Sequence, residues 1–188
     1  MELQKFLMEH KDDWEEILGK EPYCLKWNKW KGFVSFKYNQ IRSDFSNPIV
    51  REARGAVFVE NTWECASRAF DKFFNYAEPN ASAIDWATAR VMEKVDGSLM
   101  RIFYWGGEWY LITNSGIDAY TAPTGDINYP TFGSIFEEGL RNLGYKSLED
   151  FCNKLNKCRT YMFELVSPYT RVVIPYESIG IYYLGERR

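Results

Sequence analysis

The residue of this chain best placed for covalent chemistry is a lysine in the run Glu93-Lys94-Val95-Asp96-Gly97-Ser98-Leu99. A lysine amine attacks phosphorus or carbonyl centres when it is deprotonated, and burial or neighbouring cations favour that form. The glycine that follows lets a phosphate come close to the backbone. Three other stretches could serve the same chemistry. Arg51-Glu52-Ala53-Arg54-Gly55, with Lys72-Phe73-Phe74-Asn75 after it, offers cations that suit phosphates. In Tyr161-Met162-Phe163-Glu164-Leu165-Val166 an acid interrupts an apolar run, and a carboxylate there must face water or be paired. Tyr182 and Tyr183, within 179–185, could offer a ring to a base. Each also has a plain structural reading: Asp-Gly is a common turn, Arg54 suits a surface, Phe73 and Phe74 suit a core, and Glu164 suits the wet face of an edge strand.

The elements that must position these residues can be read from periodicity. Leu3, Phe6, Leu7, Trp14, Ile17 and Leu18 recur at helical steps and predict a helix over 2–18 that stops at Gly19. Residues 23–40 change to aromatic and β-branched runs broken at Gly32, the pattern of two strands. After the turn-rich 44–48, strand character resumes at Ile49, with Ala56–Val59 as a buried strand and Asn61-Thr62 as a turn. A helical turn is expected over 81–88, before a strand over 90–95. Strands over 99–105 and 108–114 flank Gly106-Gly107, a turn suited to a tight hairpin. Helical spacing marks 132–143 and 147–156, with Ser147 as a cap, and strands are expected over 160–166, 171–174 and 179–184. The inventory is α+β with mostly antiparallel sheets flanked by helices. It reads as one domain over 1–188, with an N-terminal helix and strands to residue 48 and a core from 49 onward.

Composition narrows the partners. The chain has 188 residues, 46% hydrophobic and 26% charged, as an ordinary folded domain does. Aromatics at 18% supply a thick core, stacking surfaces, or both. A net charge of −3 means that nucleic acid would be held locally and not by the molecule's overall field. The mixed cations and aromatics over 26–37 could form such a patch, or the solvated face of a strand pair. Four scattered cysteines and a single histidine, His10, argue against structural zinc. Without an N-terminal signal, reduced thiols suggest the cytoplasm. No run approaches the roughly 20 apolar residues that span a bilayer.

In combination, the stretches resemble the covalent nucleotidyltransferases, most closely the ATP-dependent tRNA-repair RNA ligases of T-even phages and their relatives. The resemblance runs from about Gly32 to Arg188. It is carried by 53–58 around Arg54, 66–75 ending on Lys72, Phe74 and Asn75, 93–99 around Lys94, 113–116, 163–168 around Glu164, 170–173 and 179–184. It implies a nucleotidyltransferase domain, similar to ATP-grasp-like ligases. Lys94 would take AMP from ATP, and Arg54 and Lys72 would hold phosphates. Glu164 would meet a ribose hydroxyl, and Glu93, Phe74, Asp96 and Gly97 would lie close to the nucleotide. Mg²⁺ or Mn²⁺ would accompany ATP, and the partner would be RNA with 5′-phosphate and 3′-hydroxyl ends, such as a broken tRNA. A phage-encoded member would work in the host cytoplasm.

Two departures follow from the same comparison. The second acidic motif and the paired-lysine motif of the family are absent before Arg188, so the domain is expected to be incomplete at its C-terminal side. It would then be a fragment, half of a split ligase completed by a second polypeptide, or a nucleotide- or RNA-binding module. An open sheet edge with exposed apolar surface is the physical corollary. Asn114 stands where the family carries lysine or arginine. The block from Arg54 to Phe74 speaks against a capping enzyme or a DNA ligase.

Overall fold

A computed structural model describes all of residues 1–188. Two four-stranded antiparallel sheets carry the chain. The first has β1 (Lys26–Trp30), β2 (Phe33–Lys37), β3 (Arg54–Val59) and β4 (Cys65–Ser67) in sequence order. The second places β5 (Ser98–Trp105), β6 (Glu108–Thr113), β7 (Thr160–Val166) and β8 (Gly180–Arg187) in the order β6-β5-β7-β8. The helices are α1 (Glu2–Glu9), α2 (Trp14–Leu18), α3 (Pro48–Glu52), α4 (Phe132–Asn142) and α5 (Leu148–Cys152). None is long and apolar enough to cross a membrane. The α+β, antiparallel reading therefore holds. The first sheet draws strands from both sides of residue 48.

The first helix is shorter than its periodicity predicts. It ends at Glu9, and a turn over 10–13 separates it from α2, with His10 Nδ1 3.1 Å from Asp13 Oδ1. Lys11-Asp12-Asp13 has nothing apolar to bury, so packing does not hold helix there. Leu3 and Leu7 on α1 and Trp14 and Leu18 on α2 still reach one core, against Phe36, Phe58 and Trp63. Residues 48–52 also depart from expectation, being helix rather than strand. Asn47 caps α3 by accepting the Ile49 N–H at 2.9 Å, and Pro48 opens it.

Alternation along β5 sets the layers. Met100 and Ile102 join Phe136, Leu140 and Leu165 under α4, whereas Phe103 joins Phe33, Val57 and Ile112 between the sheets. The sheets are pinned by Trp30 Nε1, which donates to the Gly116 carbonyl at 2.7 Å. Two further expected strands are absent. Residues 90–95 and 171–174 pair with no neighbour, and Val91, Met92, Val172 and Val173 are exposed. Beyond a turn over 86–88, residues 68–97 contain no helix or strand. Irregular stretches of more than about 15 residues commonly carry function.

Candidate active site

Lys94 stands near the end of that irregular stretch, just before β5. The turn after it is fixed by hydrogen bonds at Asp96 and Gly97. Gly97 N donates to Glu164 Oε1 on β7 at 3.1 Å. Asp96 Oδ2 accepts the backbone N–H of Val173 at 2.7 Å and of Ile174 at 2.8 Å. A Cβ at position 97 would overlap the Leu165 carbonyl oxygen, so only glycine allows the turn to approach β7 this closely. Burial or nearby cations would favour a deprotonated lysine. Instead Lys94 is exposed, and the charged groups beside it include the carboxylates of Asp96 and Glu164.

Glu164 is half-buried on the face of β7 that looks away from α4. Burial pushes its pKa above the ordinary 4.5; the Gly97 hydrogen bond and the charges of Lys94 and Arg54 pull the other way. The backbone amides of Ile174 and Val173 hold Asp96 below its ordinary range. The Arg54 charge thus reaches Glu164 from the other sheet. Its guanidinium lies 4.6 Å from the centre of the Phe73 ring, and its buried Nη1 has no partner.

Behind Arg54 sits a residue that the sequence reading missed. Arg101 on β5 is fully buried between the sheets, with no carboxylate against it. It donates to the Gly55 carbonyl, and through Nη1 to Ser67 Oγ at 3.2 Å, while Nε is unpartnered. Burial lowers its pKa to about 9. Gly55 has φ of +76°, and a Cβ there would overlap the Asn114 carbonyl and crowd Arg101. Arg101 therefore fixes the backbone from which Arg54 projects. An arginine inside the apolar run of β5 is the same signal that singled out Glu164 in β7.

The remaining predicted residues divide between this place and others. Lys72 and Phe74 line a groove of about 500 Å³ together with Arg51 and Tyr76, and Lys94 is not in its wall. Lys72 Nζ donates to the Phe73 carbonyl at 2.8 Å and lies 4.7 Å from the centre of the Phe74 ring. Glu93 is exposed. Tyr182 is the register partner of Glu164 and shares its face, whereas Tyr183 pairs with Phe163 and faces the α4 side. The two tyrosines thus diverge, and only Tyr182 shares the face of Glu164. No group of three or more His, Cys, Asp or Glu side chains is gathered as a metal cage. Asp96 spends one oxygen on two amides and Glu164 one on Gly97.

Comparison with known proteins shows the family of the chain. Residues 52–188 fit the model of a family described as RNA ligase, and the chain belongs to that family. It is 31% identical to a putative bifunctional polynucleotide kinase/RNA ligase of Autographa californica nuclear polyhedrosis virus, over 80% of this chain and 23% of the relative. It is 30% identical to RNA ligase 1 of Bacteriophage TS2126, over 76% of this chain and 36% of the relative. It is 28% identical to an RNA ligase of Rhodothermus phage RM378, over 97% of this chain and 48% of the relative. The chain thus spans less than half the length of each of these relatives.

Proposed function

We propose that the chain is the adenylyl-accepting part of an ATP-dependent RNA ligase, a nucleotidyltransferase domain with Lys94 as nucleophile. The supporting observation is that Glu164 fastens the Asp96-Gly97 turn beside Lys94, with the Arg54 charge acting on Glu164 from the opposite sheet. The neutral Lys94 Nζ forms a bond to the α-phosphorus of ATP as the α–β P–O bond breaks, and pyrophosphate leaves with the electron pair. The proton passes from Nζ to water or to a carboxylate beside it. Arg54, and Lys72 from the neighbouring groove, answer the negative charge that shifts along the phosphates. The Glu164 oxygen not used by Gly97 accepts a ribose hydroxyl. Mg²⁺ or Mn²⁺, held chiefly by the phosphates it accompanies, would supply charge neutralisation for the leaving pyrophosphate. In the whole protein, AMP then passes to an RNA 5′-phosphate, and a 3′-hydroxyl displaces it as the strands join.

Incubation with α-labelled ATP or GTP and Mg²⁺, followed by a denaturing gel, tests this reading. The expected result is label from ATP alone, lost in Lys94→Ala. Label from GTP would point to capping chemistry, and ATP binding without an adduct would make the chain a nucleotide-binding module.

A further inference from the structure

At the other end of β7 lies a second concavity that the adenylylation chemistry does not use. It has a volume of about 340 Å³ and opens between β4, the end of β5 and the ends of β7 and β8. Five cations line it: Arg68, Lys157, Arg159, Arg187 and Arg188. No Asp or Glu side chain does, on a chain whose net charge is −3. The nearest acids brace the arginines without lining the pocket. Asp71 lies 2.8 Å from Arg68 and 3.3 Å from Arg187, Glu52 lies 3.6 Å from Arg68, and Glu186 lies 2.7 Å from Arg159. Five cations against three acids leave the pocket positive.

Its floor and rim add two further features. Ser67 Oγ and Thr160 Oγ1 lie 3.4 Å apart on the floor, and Ser67 accepts from the buried Arg101. An unneutralised guanidinium thus stands directly behind the pocket and adds to its field in a poorly screened place. Tyr104 and Trp105 border it, with Lys157 Nζ 4.5 Å from the centre of the Tyr104 ring. Cations beside aromatic rings suit a chain of phosphates carrying bases. None of Arg54, Lys72, Lys94 or Glu164 lines this pocket, so it is distinct from the proposed nucleotide site. Thr160 and Glu164 are four residues apart on β7, about 13 Å at strand rise. A few nucleotides of extended strand bridge that span.

We propose that this pocket binds backbone phosphates of the RNA strand whose end is presented to Lys94. The inference rests on the RNA ligase reading and adds to it a place and a strand path. Its chemistry, phosphate held by arginine and lysine, is shared with free nucleotides, and the test separates the two.

Binding of a short labelled single-stranded RNA is measured by fluorescence anisotropy across a range of salt, for the unmodified chain and for Lys157→Glu/Arg159→Glu. Both residues are exposed in the segment before β7, so the fold should survive, as circular dichroism and melting would verify. The expected result is at least tenfold weaker binding. The log–log salt slope should be shallower by about 1.4, two phosphate contacts at about 0.7 each. The milder Lys157→Gln/Arg159→Gln should weaken binding less and in the same direction. Lys20→Glu/Lys146→Glu, with the same charge change elsewhere, should keep most of the affinity. Affinity and slope unchanged in the first pair, equal losses in both glutamate pairs, or no RNA binding by the unmodified chain would each overturn the proposal. So would an equal loss of ATP affinity by calorimetry, which would make this a free-nucleotide site. The ligase reading fails separately: no AMP label on the unmodified chain, alongside RNA binding that depends on Lys157 and Arg159, would leave the pocket standing without it.

Discussion

Arg54 and Glu164 project from strands whose neighbours are buried, whereas Lys72, Glu93 and Lys94 stand on irregular chain. The strand-borne half has its geometry set before any ligand arrives. Gly55 and Gly97 let backbone meet backbone where a Cβ would not fit, and Arg101 locks the carbonyl next to Arg54. The loop-borne half is held by a few hydrogen bonds to side chains and exposed backbone, chiefly those of Asp96 and Glu164. Elements with few buried contacts lie at the low end of local stability, where ligand-closing segments are found. Of the two cations proposed to hold phosphates, Arg54 is thus built into a sheet, while Lys72 and the proposed nucleophile Lys94 are only tethered to the sheets.

The contrast between the two halves rests most heavily on Arg101. Arg101→Ala should lower the unfolding free energy by about 3–5 kcal/mol, through a cavity and two deserted hydrogen-bond partners. A loss of under about 1 kcal/mol in chemical denaturation would show that the strand-borne half does not depend on it. Gly97→Ala should cost about 1–3 kcal/mol as the turn is pushed off Leu165. It should also reduce AMP transfer by more than that loss of folded protein accounts for, as kinetic assays on the folded fraction would reveal. Asp96→Asn should leave global stability nearly unchanged yet speed amide hydrogen exchange at Val173 and Ile174, because a neutral acceptor binds them less strongly. Exchange as slow as in the parent would mean that the tether lies elsewhere.

The smallest effect concerns pH. Glu164 has its pKa raised by burial, so the folded state holds its proton more tightly than the unfolded state does. Its ionisation therefore costs stability as pH rises through and above 4.5, and nothing below that. Glu164→Gln removes the cost while keeping an acceptor for Gly97. The melting temperature of the variant minus that of the parent should be near zero at acid pH and become positive toward neutrality. A difference independent of pH would contradict the shift.

Much of the strand-borne half is legible in the sequence. Gly106-Gly107 between two apolar alternations gives the β5–β6 hairpin, and an acid inside an apolar strand gives Glu164. Arg101 carries the same kind of signal and shows that a charge in a buried strand is informative whatever its sign. The loop-borne half is less legible because its segments resemble strands in composition. Val91-Met92 and Val172-Val173-Ile174 have β propensity, yet no neighbouring strand pairs with them. Ile49-Val50 likewise suggests strand, although Asn47-Pro48 ahead of it is a helix-start signal, and the cap prevails. β8 is an edge strand of the second sheet, and Tyr182, Tyr183 and Leu184 on it are exposed.

The central claim is that Lys94 takes the adenylyl group. Intact-protein mass spectrometry after incubation with ATP and Mg²⁺, followed by peptide mapping, addresses it most directly. The account predicts one AMP per chain, on the peptide containing Lys94, labile to acid as a phosphoramidate and absent in Lys94→Arg. An adduct on any other lysine, or one that persists in Lys94→Arg, would contradict it.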